Sequence, residues 1–255
     1  MDRTAIHLAV DGITKTFPSP SGSVQVLAGV SFDIEHRGWT TLIGPSGCGK
    51  TTLVKILAGI LRADSGRVIT GERHISLHRL VAYMPQSDTL LPWRTALSNA
   101  LLPAEIDGRP RRDALEEAHD LFARFGLAGF ENLYPVELSG GMKQRLTLMR
   151  TFLAHRDILL LDEPLGALDA LTRARLQEWL MGVWSEMGKT VVLVTHDVEE
   201  AILLSDRIVL LSARPARVRR EFTVPMPRPR SRTSTEMSMM KEELLRLIYA
   251  EGFDV

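Results

Sequence analysis

The chain has 255 residues, of which 45% are hydrophobic and 24% charged. That is globular composition, outside the range of disordered chains and long enough for one large domain or a domain with an inserted part. Lys and Arg number 31 and Asp and Glu 31, so the whole-chain positive field that tracks nucleic-acid phosphates is missing, and no nucleic acid is expected as a partner.

The single cysteine, Cys48, excludes an internal disulfide. No charged lead followed by an apolar segment opens the sequence, and no apolar run approaches the ~18 residues that span a bilayer. A protein that is neither exported nor membrane-spanning is expected. In chain order, residues 8–10 and 24–34 carry short strand patterns either side of a Pro/Ser/Gly loop at 18–23. Residues 40–43 read as a buried strand stopping at Gly44, and residues 51–59 as a helix with Leu53, Ile56 and Leu57 on one face. Further strands are predicted at 67–70 and 80–84.

From about residue 87 to 155 the pattern is helical. In residues 111–125, Leu115, Ala118, Phe122 and Phe125 recur every three or four positions with Glu116, Glu117 and Asp120 outside them, and a second helix follows Gly140-Gly141. Beyond it, strands at 158–161, 190–194 and 208–211 alternate with helices at 171–187 and 198–204. Such β-then-α units require crossover helices over a mostly parallel sheet, so the fold class is α/β with a helical insertion. The expected organisation is a core in two parts, 1–86 and 156–211, a helical part at 87–155 and an extension at 212–255. In that extension, arginines from Arg214 to Arg232 crowd among Pro215, Pro225, Pro227 and Pro229, which reads as a solvated, proline-stiffened linker before an amphipathic helix at 239–249.

Gly44-Pro45-Ser46-Gly47-Cys48-Gly49-Lys50-Thr51, followed by Thr52, fits the G-x-x-x-x-G-K-[ST] phosphate loop and lies between a predicted strand and helix. Its glycines let consecutive N–H groups turn toward phosphate oxygens, and the helix N-terminus adds its positive end. Lys50 is placed to reach the β- and γ-phosphates, and Thr51 to offer its hydroxyl to Mg²⁺. Cys48 is expected to be an exposed thiol of depressed pKa, because those N–H groups, the helix end and Lys50 all favour thiolate, the alternative being a thiol turned into the apolar packing beneath the loop, where desolvation raises its pKa. Downstream, Ile158-Leu159-Leu160-Leu161-Asp162-Glu163 is an aliphatic strand ending in two carboxylates at the sheet edge where ligands bind. Asp162 is the candidate Mg²⁺ partner, and Glu163 the candidate base for an attacking water.

With Leu138-Ser139-Gly140-Gly141-Met142-Lys143-Gln144-Arg145 set shortly before that strand, the sequence resembles the ATP-binding subunit of an ABC transporter. Gln86 looks like the family's Q-loop glutamine, Gly166-Ala167-Leu168-Asp169 like its D-loop, His196 like its switch histidine and Phe17 like the aromatic that stacks on adenine. Met142 stands where many members have Gln, and Gly166 where many have Ser. The resemblance implies a P-loop NTPase ABC ATPase fold, with a mostly parallel sheet core, an N-terminal antiparallel β part and an inserted α-helical subdomain. It implies ATP and Mg²⁺ as cofactors, with Gln86 and His196 catalytic beside Glu163, Gln86 also at the metal, and Ser139, Gly140, Gly141 and Asp169 at nucleotide.

The Ser139-Gly140-Gly141 segment opens a second phosphate-ready helix end, which by resemblance completes the site of a second copy in a head-to-tail ATP-bound dimer. Leu90-Leu91-Pro92-Trp93 after Gln86 is an apolar turn that either packs internally or meets a partner. The segments together look most like the nitrate, sulfonate and taurine importer branch. That implies integral membrane permease subunits as partners, a solute-binding protein acting indirectly, and a peripheral location on the cytoplasmic face of the membrane. A soluble ABC ATPase of a non-transport complex, such as iron–sulfur cluster assembly, is the alternative.

Overall fold

In the computed structural model, residues 6–20, 22–70 and 77–250 are described. Residues 1–5, read above for a leader, and Ser21 of the expected loop lie outside them. Strands β1 (Ile6–Ser19) and β2 (Gly22–Glu35) form one long antiparallel hairpin, where the sequence suggests shorter runs. Strand β4 (Ser65–Thr70) pairs with β1, which completes a three-stranded sheet in the order β2-β1-β4.

The second sheet has the order β5-β6-β7-β3-β8-β9. Its strands are β3 (Trp39–Ile43), β5 (Val81–Met84), β6 (Ile158–Asp162), β7 (Thr190–Val194), β8 (Arg207–Leu211) and β9 (Val218–Thr223). The first five run parallel, and β9 is antiparallel to β8. Every residue of β3, β6 and β7 is buried, as expected of central strands covered on both faces.

Side chains alternate between the two covers. Ile158, Leu160, Val192 and Val194 pack with α1 (Lys50–Leu57) and the β1–β2 hairpin. Leu159, Leu161, Val191 and Leu193 pack against the helical side. That side contains α3 (Ala96–Ala100), α4 (Leu102–Ile106), α5 (Arg111–Arg124), α6 (Gly140–Leu153), α7 (Ala170–Met187) and α8 (Val198–Leu204), while α2 (Leu77–Leu80) is a single turn before β5. Ala118 and Phe122 of α5 are buried as the spacing requires. Phe125, Phe152 and Trp179 meet edge to face at 4.5–6.1 Å and join the inserted helices to α7.

The C-terminal extension is not a solvated linker. Phe222 of β9 and Val224, just past its end, are buried, and α9 (Thr235–Ala250) packs on α8. Arg230, also buried, donates to the carbonyls of Ile202 (2.7 Å), Leu203 (3.1 Å), Ser205 (2.6 Å) and Met226 (2.9 Å), so it caps the C-terminal end of α8. Burial, with Arg228 nearby, pulls its pKa down to about 10, and it remains cationic at neutral pH. Arg228 donates to Asp206 (2.6 Å) and the Leu204 carbonyl (2.6 Å). Arg228 and Arg230, which composition assigns to water, therefore fasten the tail. Arg230→Met strands those carbonyls and should lower stability by about 3 kcal/mol, roughly 6–12 °C in Tm. Arg112→Met, which breaks the exposed Arg112–Glu116 pair, should leave Tm within about 1 °C. Calorimetry on the two variants checks this, and equal melting temperatures would refute it.

Candidate active site

The phosphate loop leaves the buried end of β3 and turns into α1. Gly47 has φ of 72° and Gly49 φ of 126°, and a Cβ on Gly49 would meet Val26 Cγ1 at 2.7 Å, so β2 approaches too closely for any side chain there. Lys50, 7% exposed, folds back so that its ammonium donates to the carbonyls of Gly44 (2.7 Å) and Pro45 (2.8 Å). Its charge is thereby held at the loop's centre. Around it lies a cavity of about 540 Å³. Phe17, Val24 and Val26 of the hairpin line one part, Ser46, Gly47, Gly49, Lys50, Thr51 and Thr52 the loop side, and Gln86 and Glu163 another part. An apolar wall with an aromatic ring leads to a cluster of N–H groups and an ammonium, and that suits a base joined to phosphates.

Cys48 departs from expectation. Its thiol is 2% exposed and packs among the aliphatic side chains beneath the loop. Burial pushes its pKa up, outweighing Lys50, which pulls it down. The expected reactive thiol is therefore corrected to a packing residue, and its N–H donates to the Pro45 carbonyl at 3.2 Å within the loop.

Strand β6 delivers Asp162 and Glu163 to the same edge. Asp162 is fully buried, its Oδ2 accepts from the Tyr83 hydroxyl at 3.4 Å, and its Oδ1 makes no hydrogen bond among the described residues. Burial raises its pKa, an effect the neighbouring Thr51 hydroxyl partly offsets. A buried carboxylate oxygen without a partner, next to a threonine hydroxyl and a lysine, is a donor set suited to a hard divalent cation and its waters.

Glu163 leaves the strand with φ of 51°, a left-handed conformation uncommon outside glycine. Its N–H continues the ladder to the Val194 carbonyl (2.9 Å). Gln86 Nε2 donates to its Oε2 at 2.9 Å, and His196 Nδ1 stands 3.5 Å from its Oε1. The His196 turn is held from behind: Thr195 Oγ1 bonds the buried Glu200, and Asp197 caps α8 by accepting from Glu199 N (2.9 Å) and Glu200 N (3.1 Å). Gln86, Glu163 and His196, far apart in sequence, thus meet beside the phosphate loop.

Ser139, Gly140, Gly141 and Asp169 stand elsewhere and do not line that cavity. Ser139 caps α6, its Oγ accepting from Met142 N at 3.3 Å, and Asp169 caps α7, its Oδ1 accepting from Thr172 N at 3.0 Å. Both caps are exposed, and hydrogen bonds from the Thr172 end of the helix hold the Asp169 carboxyl below its usual range. Two side chains were missed by the sequence reading. Arg214, from the loop after β8, lines the cavity and donates to the Gly47 carbonyl (3.0 Å), and Gln144 of α6 bonds the backbone beside Glu163. Gln144 lies within the segment 138–145 that carries the resemblance, but its partners are 19 and 23 positions away and that of Arg214 is 167 positions away, so local sequence does not reveal either contact.

A phosphate loop and a paired Asp-Glu at the edge of one parallel sheet, closed by Gln86 and His196, define a P-loop nucleoside triphosphatase. The ABC transporter sequence profile matches residues 27–166, and the chain belongs to that family as its ATP-hydrolysing cassette. An aliphatic sulfonates import ATP-binding protein of Bacillus cereus is 39% identical across 94% of both chains. A formylaminopyrimidine import ATP-binding protein of Halalkalibacterium halodurans is 38% identical over 91% of this chain and 93% of that one. A nitrate import ATP-binding protein of Synechococcus elongatus is 43% identical over 89% of this chain and 35% of its own length. Among solved structures, a dimeric bacterial ABC transporter cassette superposes with a TM-score of 0.78 at 28% identity, over 86% of this chain and 100% of the other. Its post-hydrolysis form, bound to ADP and Pi, gives 0.77 at 27% identity with the same coverage.

Proposed function

We propose that this cassette drives an importer of a small anionic or heteroaromatic solute, of the sulfonate, nitrate or formylaminopyrimidine kind, by docking on integral membrane permease subunits at the cytoplasmic face. The observation that carries the hydrolytic part is the placing of Glu163 between Gln86 and His196, beside Lys50. Glu163 takes the proton of the attacking water as general base. Lys50 and the loop N–H groups hold the β- and γ-phosphates, and His196 contacts the γ-phosphate, where charge builds in the transition state. Phe17 stacks on the adenine. Thr51 and Asp162, with Gln86, would hold Mg²⁺, which when bound neutralises phosphate charge.

Ser139, Gly140 and Gly141 face the nucleotide of a second copy in a head-to-tail dimer, which accounts for a second helix N-terminus remote from the first cavity. Among the described residues no helix is long and apolar enough to cross a membrane, so the motion of closure has to act on another protein for transport to follow. The turn after Gln86 supports the docking side. Leu90 is buried and the buried Asn99 side chain holds the turn through Leu91, Arg94 and Thr95, but Trp93 is left 71% exposed. A solute-binding protein then acts through the permease.

The test is affinity purification of the tagged chain from detergent-solubilised membranes, followed by uptake of radiolabelled taurine, nitrate and formylaminopyrimidine by the reconstituted complex. Recovery of an integral membrane permease and ATP-dependent accumulation of one solute is the expected result. Recovery of a soluble assembly scaffold without any accumulation would overturn the transport reading.

A further inference from the structure

The left-handed turn that presents Glu163 is held by a side chain from another element. The Glu163 carbonyl accepts from Gln144 Nε2 at 2.9 Å, and Gly166 N lies 3.3 Å from the same oxygen. The other end of the same amide, Gln144 Oε1, accepts from Ala167 N at 2.8 Å. One side chain therefore ties both ends of the turn from Glu163 to Ala167. Gln144 is only 8% exposed, so water cannot readily take over either bond. The two partners demand a donor and an acceptor at once, and among side chains of this length only glutamine supplies both without a charge.

We propose that Gln144 is the positioning residue for Glu163: its amide sets the turn that points the carboxylate at Gln86 and His196. The proposal rests on Glu163 being the base. It also gives α6 a role at its own chain's site. Gln144 lies little more than one turn from Ser139, so a displacement of this helix end moves the carbonyl to which Glu163 is anchored.

Gln144→Met retains length and apolar bulk and removes both hydrogen bonds, and Gln144→Leu is the second variant. Full-length chains are compared by steady-state hydrolysis, by titration with a fluorescent ATP analogue, and by single-turnover hydrolysis in the Glu163→Gln background. A kcat lower by about 10- to 100-fold is expected, with KM and nucleotide affinity within about twofold, because a misaimed base costs turnover and not binding. A side chain that acts through Glu163 loses its effect when Glu163 is already Gln, so Gln144→Met should change the residual rate of the double variant by less than about twofold. An unchanged kcat, an equal loss of affinity, or the same fold loss in both backgrounds would each overturn the proposal. Glu163→Gln alone separates this from failure of the underlying reading. If that substitution leaves turnover intact, the base itself is misassigned.

Discussion

Glu163→Gln should bind ATP within about twofold of the native affinity and hydrolyse it about 10³-fold more slowly, within the span that general-base loss produces. Gln is nearly isosteric with Glu, so the turn fixed by Val194 and Gln144 through backbone atoms is retained. Gln86 Nε2 faces Oε2 and His196 Nδ1 faces Oε1, and the amide can keep its oxygen toward one of them. What is lost is the basic oxygen that accepts the proton of water. The phosphate cradle of Gly47, Gly49 and Lys50 is untouched, so binding stays. Lys50→Ala gives the opposite pattern, a loss of affinity first, because it removes the ammonium held at the loop's centre. Measurement of kcat against the affinity for a fluorescent ATP analogue distinguishes the two. Unchanged steady-state hydrolysis in Glu163→Gln would reject Glu163 as the base.

The second large effect is expected at Ser139, which touches nothing in its own chain's cavity. Ser139→Arg removes a helix cap worth about 1 kcal/mol to α6 and places a long cation over the helix end. If that end faces the nucleotide of a second copy, nucleotide affinity of the single chain stays within about threefold, ATP-dependent dimerisation disappears and turnover falls by about 10²-fold or more. Sedimentation of Ser139→Arg in the Glu163→Gln background, with and without ATP, provides the measurement. A persisting ATP-dependent dimer would refute the head-to-tail arrangement.

The parts of the site carried by contiguous residues were legible in the sequence. The loop from Gly44 to Thr51 and the strand ending in Asp162-Glu163 place their groups by local geometry, and the structure brings them to one sheet edge. Gln86 and His196 were placed by resemblance, and both now face Glu163. What escaped depended on direction or on distance. The neighbours of Cys48 in sequence suggest an exposed thiol, but its side chain packs in the apolar layer below the loop. Arg228 and Arg230 looked solvated because their acceptors, the carbonyls at the end of α8, lie 24 to 28 positions upstream. Strand β9 was hidden by the exposed arginines among its residues, although the buried Phe222 and, just past its end, Val224 flank the exposed Thr223.

Strand β3 lies between β7 and β8, parallel to both, and it carries the phosphate loop. On the ribosome that strand emerges long before its neighbours exist. At about 5–20 residues per second, roughly 8–30 s pass before the end of β8 follows it out. Until β7 follows, the β1–β2 hairpin can close on itself, but Leu42 and Ile43 have no neighbouring strand to join. The strand that carries the phosphate loop thus gains its place in the sheet late in synthesis: a message broken before β7 yields a chain with the full phosphate motif and neither strand that flanks β3.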